Sequence, residues 1–209
     1  MAECGCNSLD FNGASARYKR VLWLVIAINA LMFFVEMGAS VASDSMALRA
    51  DALDFLGDSF TYAITLLAIG HSLRWRASAA MFKGVTLALM GTWVLGSTLY
   101  RLFILGIPNE LIMGSVALLA FLANLISVLL LLKYREGDAN VRSVWLCSRN
   151  DAIGNVAVMV AAGVVYMTGS HWPDLLVAFF LALLFLNSSS QIIRQASAEL
   201  RTLNSTPQP

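Results

Sequence analysis

Six apolar runs divide the chain: residues 21–42, 46–70, 79–103, 111–132, 143–167 and 175–193. Each is close to the ~20 residues that a helix needs to cross a bilayer. The polar stretches between them are short. Pro108 and Pro173 stand just ahead of the fourth and sixth runs, where proline is tolerated at a helix start. The pattern predicts an all-α, polytopic membrane protein with six transmembrane helices. No room is left within it for a soluble domain.

Polar positions inside the runs are not scattered. The third carries few, the fourth has Asn124 and Ser127, and the sixth has Asn187 and Ser188 near its end. The first holds Asn29 and Glu36, seven apart and therefore on one helical face. The second contains DALDFLGDSF, with Asp51, Asp54 and Asp58 at i, i+3 and i+7, again one face. The fifth holds Cys147, Asp151 and Asn155 at i, i+4 and i+8, with Arg149 and Asn150 beside them.

An ionised Asp at the centre of a membrane helix costs roughly 2.5–3.5 kcal/mol on the insertion scale. Several such residues must therefore face the bundle interior or a wet path, and they require counter-charge. One Arg149 cannot neutralise Glu36, Asp51, Asp54, Asp58 and Asp151 together, so positive charge has to come from outside the chain, as protons or a cation. Asp54 and Asp58, four apart, bring two oxygen ligands onto adjacent turns, and Cys147 and Asp151 repeat the spacing. Two such pairs on facing helices make a four-ligand site of three carboxylates and a thiolate. That donor set suits a divalent transition metal of borderline or soft character.

Composition and charge narrow the reading further. The chain has 209 residues, of which 58% are hydrophobic and 13% charged, a membrane-protein balance. A net charge of +1 gives no basis for a nucleic-acid partner. Arg17, Lys19, Arg20, Arg74, Arg76, Lys83, Lys133, Arg135, Arg142, Arg194 and Arg201 lie at one set of helix ends, Arg49 and Arg101 at the other. The bias makes the first set cytoplasmic and puts both termini inside. The polar N-terminus does not read as a cleaved signal peptide. The expected organisation is a cytoplasmic tail over 1–17, a transmembrane transport domain over 18–195 and a short cytoplasmic tail over 196–209. Three cysteines are too few for a disulfide framework.

Asn29 and Glu36, SMALRADALDFLGDSF (45–60) and NVRSVWLCSRNDAIGNVAVMVAAG (140–163) together resemble the cation diffusion facilitator family of divalent-metal transporters. The likeness covers about residues 18–195. It implies efflux of a metal from the cytoplasm by proton antiport, across the plasma (inner) membrane, in a homodimer, with no resident cofactor. The family's transport-site positions fall on Asp54, Asp58, Cys147 and Asp151. Zinc-selective members usually carry His where this chain has Asp54 and Cys147, a departure toward zinc and cadmium together and toward softer ions. Most members also carry a cytoplasmic metal-binding domain after the sixth helix, which the residues after Ile193 are too few to form.

Each of these residues also has a plainer reading. Cys147 reads otherwise as a small buried residue, and the three Asp as partners of Arg149. Arg149 itself points away from the Cys147–Asp151 face and is expected to pair with a buried acid. Asp51 sits nearer a helix end and is either a structural hydrogen-bonder or a secondary ligand. His71 is a secondary metal residue or an interfacial one; His171 and Trp172 read as an interfacial anchor. Cys4 and Cys6 form a CGC that captures a soft ion or belongs to a plain tail. Gly84, Ala88 and Gly91 offer a small-residue face, for a partner subunit or for packing within one chain. The alternative function is a membrane metal sensor or metal-binding subunit that does not transport. No nucleophile, cofactor or phosphate-binding motif argues for an enzyme.

Overall fold

The computed structural model describes residues 15–68, 73–103, 106–135 and 139–205. These form six helices: α1 (Ala16–Ser43), α2 (Met46–Ala68), α3 (Leu73–Arg101), α4 (Glu110–Leu131), α5 (Ala139–Thr168) and α6 (Trp172–Ser205). A 3-10 turn, Leu132–Tyr134, extends α4. Five helices are long and apolar enough to cross a membrane. The exception, α2, has the length but carries Arg49 and three Asp. The protein is an integral, multi-pass membrane protein.

Local chemistry sets the helix ends. The Ser15 hydroxyl accepts from the Tyr18 amide at 3.2 Å and opens α1. Asp44 ends α1 in the left-handed conformation, φ 60°, and the Ser45 hydroxyl accepts the Leu48 amide at 3.1 Å to open α2. Two residues thus turn the chain back on itself. The Asn109 side chain caps α4 through the Ile112 amide at 3.0 Å. Gly169, at φ +61°, ends α5, where a left-handed residue is easiest for glycine.

Packing divides the helices unequally. α1 lies against α2 and α4, α4 against α5, and α2 touches α5, which makes a four-helix compartment. α3 packs chiefly against α6, and this pair leans on α2 and α5. Tyr18, Leu22, Val25, Ile26, Tyr62 and Leu131, with Tyr134 and Val144, form an apolar cluster at the end of the compartment where α1 begins. Around the outside, Phe34, Leu89, Tyr166 and Phe180 are exposed, as faces turned to lipid require.

Two helices extend well beyond the apolar runs read from hydropathy. α3 begins at Leu73 rather than 79, and α6 runs to Ser205 rather than stopping at 193. Residues 196–205, expected as tail, continue that helix, where Gln195 donates to Glu199 at 3.1 Å. Pro173 is the second residue of α6 rather than a residue before it. Gly84 and Gly91 are packing positions within one chain: a Cβ on Gly84 would lie 2.7 Å from Ile193 Cγ1, and one on Gly91 3.1 Å from Phe185 Cβ. The Ser189 hydroxyl donates to the Gly84 carbonyl at 2.8 Å across the same seam.

Candidate functional site

The i, i+3, i+7 face of α2 turns into the four-helix compartment. Asp51 and Asp58 are buried, and Asp54 is half-buried. Asp151, on α5, lies on the side of Asp54 and Asp58, near enough for the three carboxyls to act on one another. Cys147, one turn before Asp151, is a free thiol packed at the edge of the apolar cluster, near enough for the charges of Asp58 and Asp54 to act on it. The two pairs read from spacing therefore meet across the α2–α5 contact. Among the described residues, no three His, Cys, Asp or Glu side chains are drawn together closely enough to hold an ion as they stand. The acids engage protein donors and one another instead.

Two of the groups around them were not anticipated. The Tyr62 hydroxyl donates to Asp58 one turn further along α2. It lies also 3.3 Å from the Ser148 hydroxyl and 3.4 Å from the Val144 carbonyl of α5. Tyr62 belongs to the apolar cluster, so one side chain joins the carboxylate group to the cluster that closes the compartment's end. Its i+4 relation to Asp58 was visible in the sequence, but a tyrosine in an apolar run reads as bulk. Lys83 of α3, counted above only as a topology signal, sits near enough for its charge to act on Asp54, Asp58 and Cys147.

Asp51 does not face Asp151. Its Oδ2 accepts from Asn155 Nδ2 at 2.6 Å, and Asn155 Oδ1 accepts from Asn124 Nδ2 at 3.0 Å. Glu36 of α1 faces Asp51 from the other side. Asn29 is buried separately and donates to its own helix, to the Val25 carbonyl at 2.8 Å.

Arg149 points away from the Cys147–Asp151 face, as expected, but does not pair with a buried acid. It is exposed, donates to Asn150 at 3.2 Å and lies over the Trp145 ring, 5.4 Å from its centroid. The guanidinium sits on the outside of α5, two residues from Cys147 and so on a different face, where it does not reach the buried acids. His171 stacks on Trp172, ring centroids 5.6 Å apart, at the start of α6. Cys4, Cys6 and His71 lie outside the described residues.

Where α2 begins, a further acid has a capping role. Asp174 of α6 accepts from the Ser45 hydroxyl at 2.5 Å and from the Met46 and Ala47 amides at 2.8 and 3.0 Å. A carboxylate taking three donors at a helix N-terminus matches both the open amides and the helix dipole. Beside it, Arg101 at the end of α3 pairs with Asp44. Arg49 and Arg101 line one groove at this end, in keeping with the lysine and arginine split.

Comparison with known proteins adds a second line of argument. A profile described as the cation efflux transmembrane domain matches residues 22–201. The chain is similar to zinc transporter ZitB of Yersinia pestis, 30% identical over 207 residues, which cover 91% of this chain and 64% of that protein. It is also similar to metal cation efflux system protein CzcD of Cupriavidus metallidurans, 27% identical over 79% of this chain and 56% of that one. A Bacillus velezensis protein named cadmium, cobalt and zinc/H(+)-K(+) antiporter is 22% identical over 90% of this chain and 64% of its own length. The chain thus spans less than two thirds of each of these three relatives.

Proposed function

The chain belongs to the cation efflux family, the cation diffusion facilitators, and on that premise we propose that it exports a divalent transition metal from the cytoplasm in exchange for protons. The cargo is Zn2+ or Cd2+, bound by Asp54, Asp58, Cys147 and Asp151, and the membrane is the plasma (inner) membrane. The observation that carries this reading is the meeting of Asp54 and Asp58 with Asp151 deep in a membrane bundle. Acids gathered at that depth have a use when positive charge comes and goes. The relatives' names, zinc transporter and cadmium, cobalt and zinc antiporter, support the cargo class.

The exchange follows from competition. Metal binds the deprotonated carboxylates and thiolate, and protons bind the same atoms, so a more acidic outer side releases the metal. Metal arriving from the cytoplasm also has to displace the Tyr62 hydroxyl from Asp58 and part the apolar cluster around it. Loading and opening of the cytoplasmic end are then one event, and the bundle rocks about a fixed site. The homodimer that family membership suggests has to use surfaces other than Gly84 and Gly91, which α6 already covers.

The test is metal-driven proton flux in proteoliposomes. Asp54→Ala, Asp58→Ala and Asp151→Ala should each abolish flux and leave folded protein. Wild-type flux in any one of them removes that residue from the ligand set. Wild-type protein that binds Zn2+ or Cd2+ but supports no flux would favour a sensor or binding subunit.

A further inference from the structure

A second group of buried oxygens lies nearer the other end of the bundle. Glu36 is fully buried, and among the described residues no N–H or O–H donates to either of its carboxyl oxygens. The carboxyl it faces, that of Asp51, is itself buried and is held from behind by Asn155. Asn124, which orients Asn155, is buried too, and its Oδ1 has no donor among the described residues. The network therefore runs Asn124 to Asn155 to Asp51 to Glu36 and ends on acceptors. Both side-chain amide nitrogens in it donate in the direction of Asp51, and what the far end lacks is positive charge. A buried carboxylate left in that state is costly unless an ion completes it.

Position gives the group a role. Asp51 lies three residues before Asp54 on α2, about 4–5 Å along the axis at 1.5 Å per residue. The displacement is toward the Ser45–Asp174 end, away from the Tyr62 cluster. Chemistry distinguishes the two groups. The Asp54–Asp151 group is flanked by a thiol, whereas Glu36 and Asp51 present oxygen alone. Oxygen-only donors hold a borderline or soft ion less tightly than a set containing thiolate.

We propose that Glu36 and Asp51 form a second divalent-cation site, an oxygen-only exit station between the Asp54–Asp58–Cys147–Asp151 group and the outer end of the bundle. Two carboxylates match the charge of one divalent ion. Transfer from a thiolate-containing site to an oxygen-only one lowers affinity stepwise along the route out. The direction of travel rests on the transport reading above; the existence of the site does not.

The experiment is 113Cd NMR of the purified full chain, with Cd2+ alone as probe, in a Cys4→Ser, Cys6→Ser background so that Cys147 is the sole thiol. At saturation two resonances are expected, one shifted by sulfur and one in the oxygen-only range. Glu36→Gln should remove the oxygen-only resonance and leave the sulfur-shifted one in place. Cys147→Ser should move the sulfur-shifted resonance and spare the other. Glu36→Asp, which keeps the charge, serves if the Gln variant fails to fold, and should weaken Cd2+ binding at the oxygen-only resonance about tenfold. Absence of any oxygen-only resonance at saturation overturns the proposal, as does an oxygen-only resonance indifferent to both Glu36 variants; the pair would then share a proton and hold no metal. Loss of the transport-site reading looks different: the sulfur-shifted resonance would be absent, or would not respond to Cys147→Ser.

Discussion

The α3–α6 pair and the four-helix compartment of α1, α2, α4 and α5 solve opposite problems with the same solvent around them. The pair is close-packed and nearly free of buried charge along its length. Its seam is closed by Gly84 and Gly91 against Ile193 and Phe185, with a hydroxyl–carbonyl bond from Ser189. In lipid there is no hydrophobic drive between helices, so close approach at small residues supplies the attraction. The compartment buries Glu36, Asp51, Asp58, Asn124 and Asn155, which weaken a membrane bundle unless they have work to do. One region is built to hold still, the other to hold charge, and α2 is packed against both.

Substitutions can break that contrast or sharpen it. The largest stability effect is expected at the seam. Gly84→Leu puts a side chain where even a Cβ meets Ile193 at 2.7 Å. It should cost about 3 kcal/mol or more, at or beyond the upper end of overpacking costs, read as a lost or strongly lowered melting transition in detergent. Gly96→Ala, on the same helix but with nothing within 4 Å of the new Cβ, should leave the transition unmoved. Equal effects from the two would mean that α3 and α6 do not meet at Gly84.

A smaller loss is expected where the two regions are joined at the Ser45–Asp174 end. Asp174→Ala removes the acceptor of three donors at the start of α2 and should cost about 1–2 kcal/mol, the scale of losing a helix cap. Thermal unfolding checks it, and Asp174→Asn should recover part of the loss.

Within the compartment, Cys147→His should change preference more than stability. Imidazole is a harder ligand than thiolate, so the ratio of cadmium to zinc transport should fall while transport itself persists. Cys147→Ser should weaken cadmium transport more than zinc transport. An unchanged ratio in both variants removes Cys147 from the ligands and leaves its apolar packing as its role. The smallest effect belongs to Arg149→Gln. With the guanidinium exposed over Trp145 rather than paired with an acid, both flux and melting should stay within error, about 0.5 kcal/mol for stability. A collapse of flux would return Arg149 to the site.

What the sequence made legible divides along the same line. The polar face of α2 and the pairing of its acids with Asp151 were readable because helical periodicity is local and charge in an apolar run is conspicuous. The role of Gly84 was open, because a small residue looks the same whether the chain closing on it is its own or a partner's. The direction of Arg149 was read correctly from helical periodicity, but its pairing was misjudged, because a cation near buried acids invites a partner that its face of α5 does not reach. The true end of α6 was hidden because hydropathy reports where lipid ends, and a helix does not have to stop there. Asp174 was missed altogether: its partners lie 127 to 129 residues away, beyond any local pattern.

That distance has a consequence for how the protein is made. Synthesis at roughly 5–20 residues per second puts about 6–25 s between the emergence of Met46 and that of Asp174. For that interval α2 must be accepted into the membrane with three acids and without the acceptor of its Met46 and Ala47 amides, sheltered by the insertion machinery or by α1. The bundle can be completed only when the last helix arrives. A chain stopped before Trp172 should therefore be cleared by membrane quality control faster than one stopped after α6, a difference that a pulse-chase comparison of the two nascent products would register.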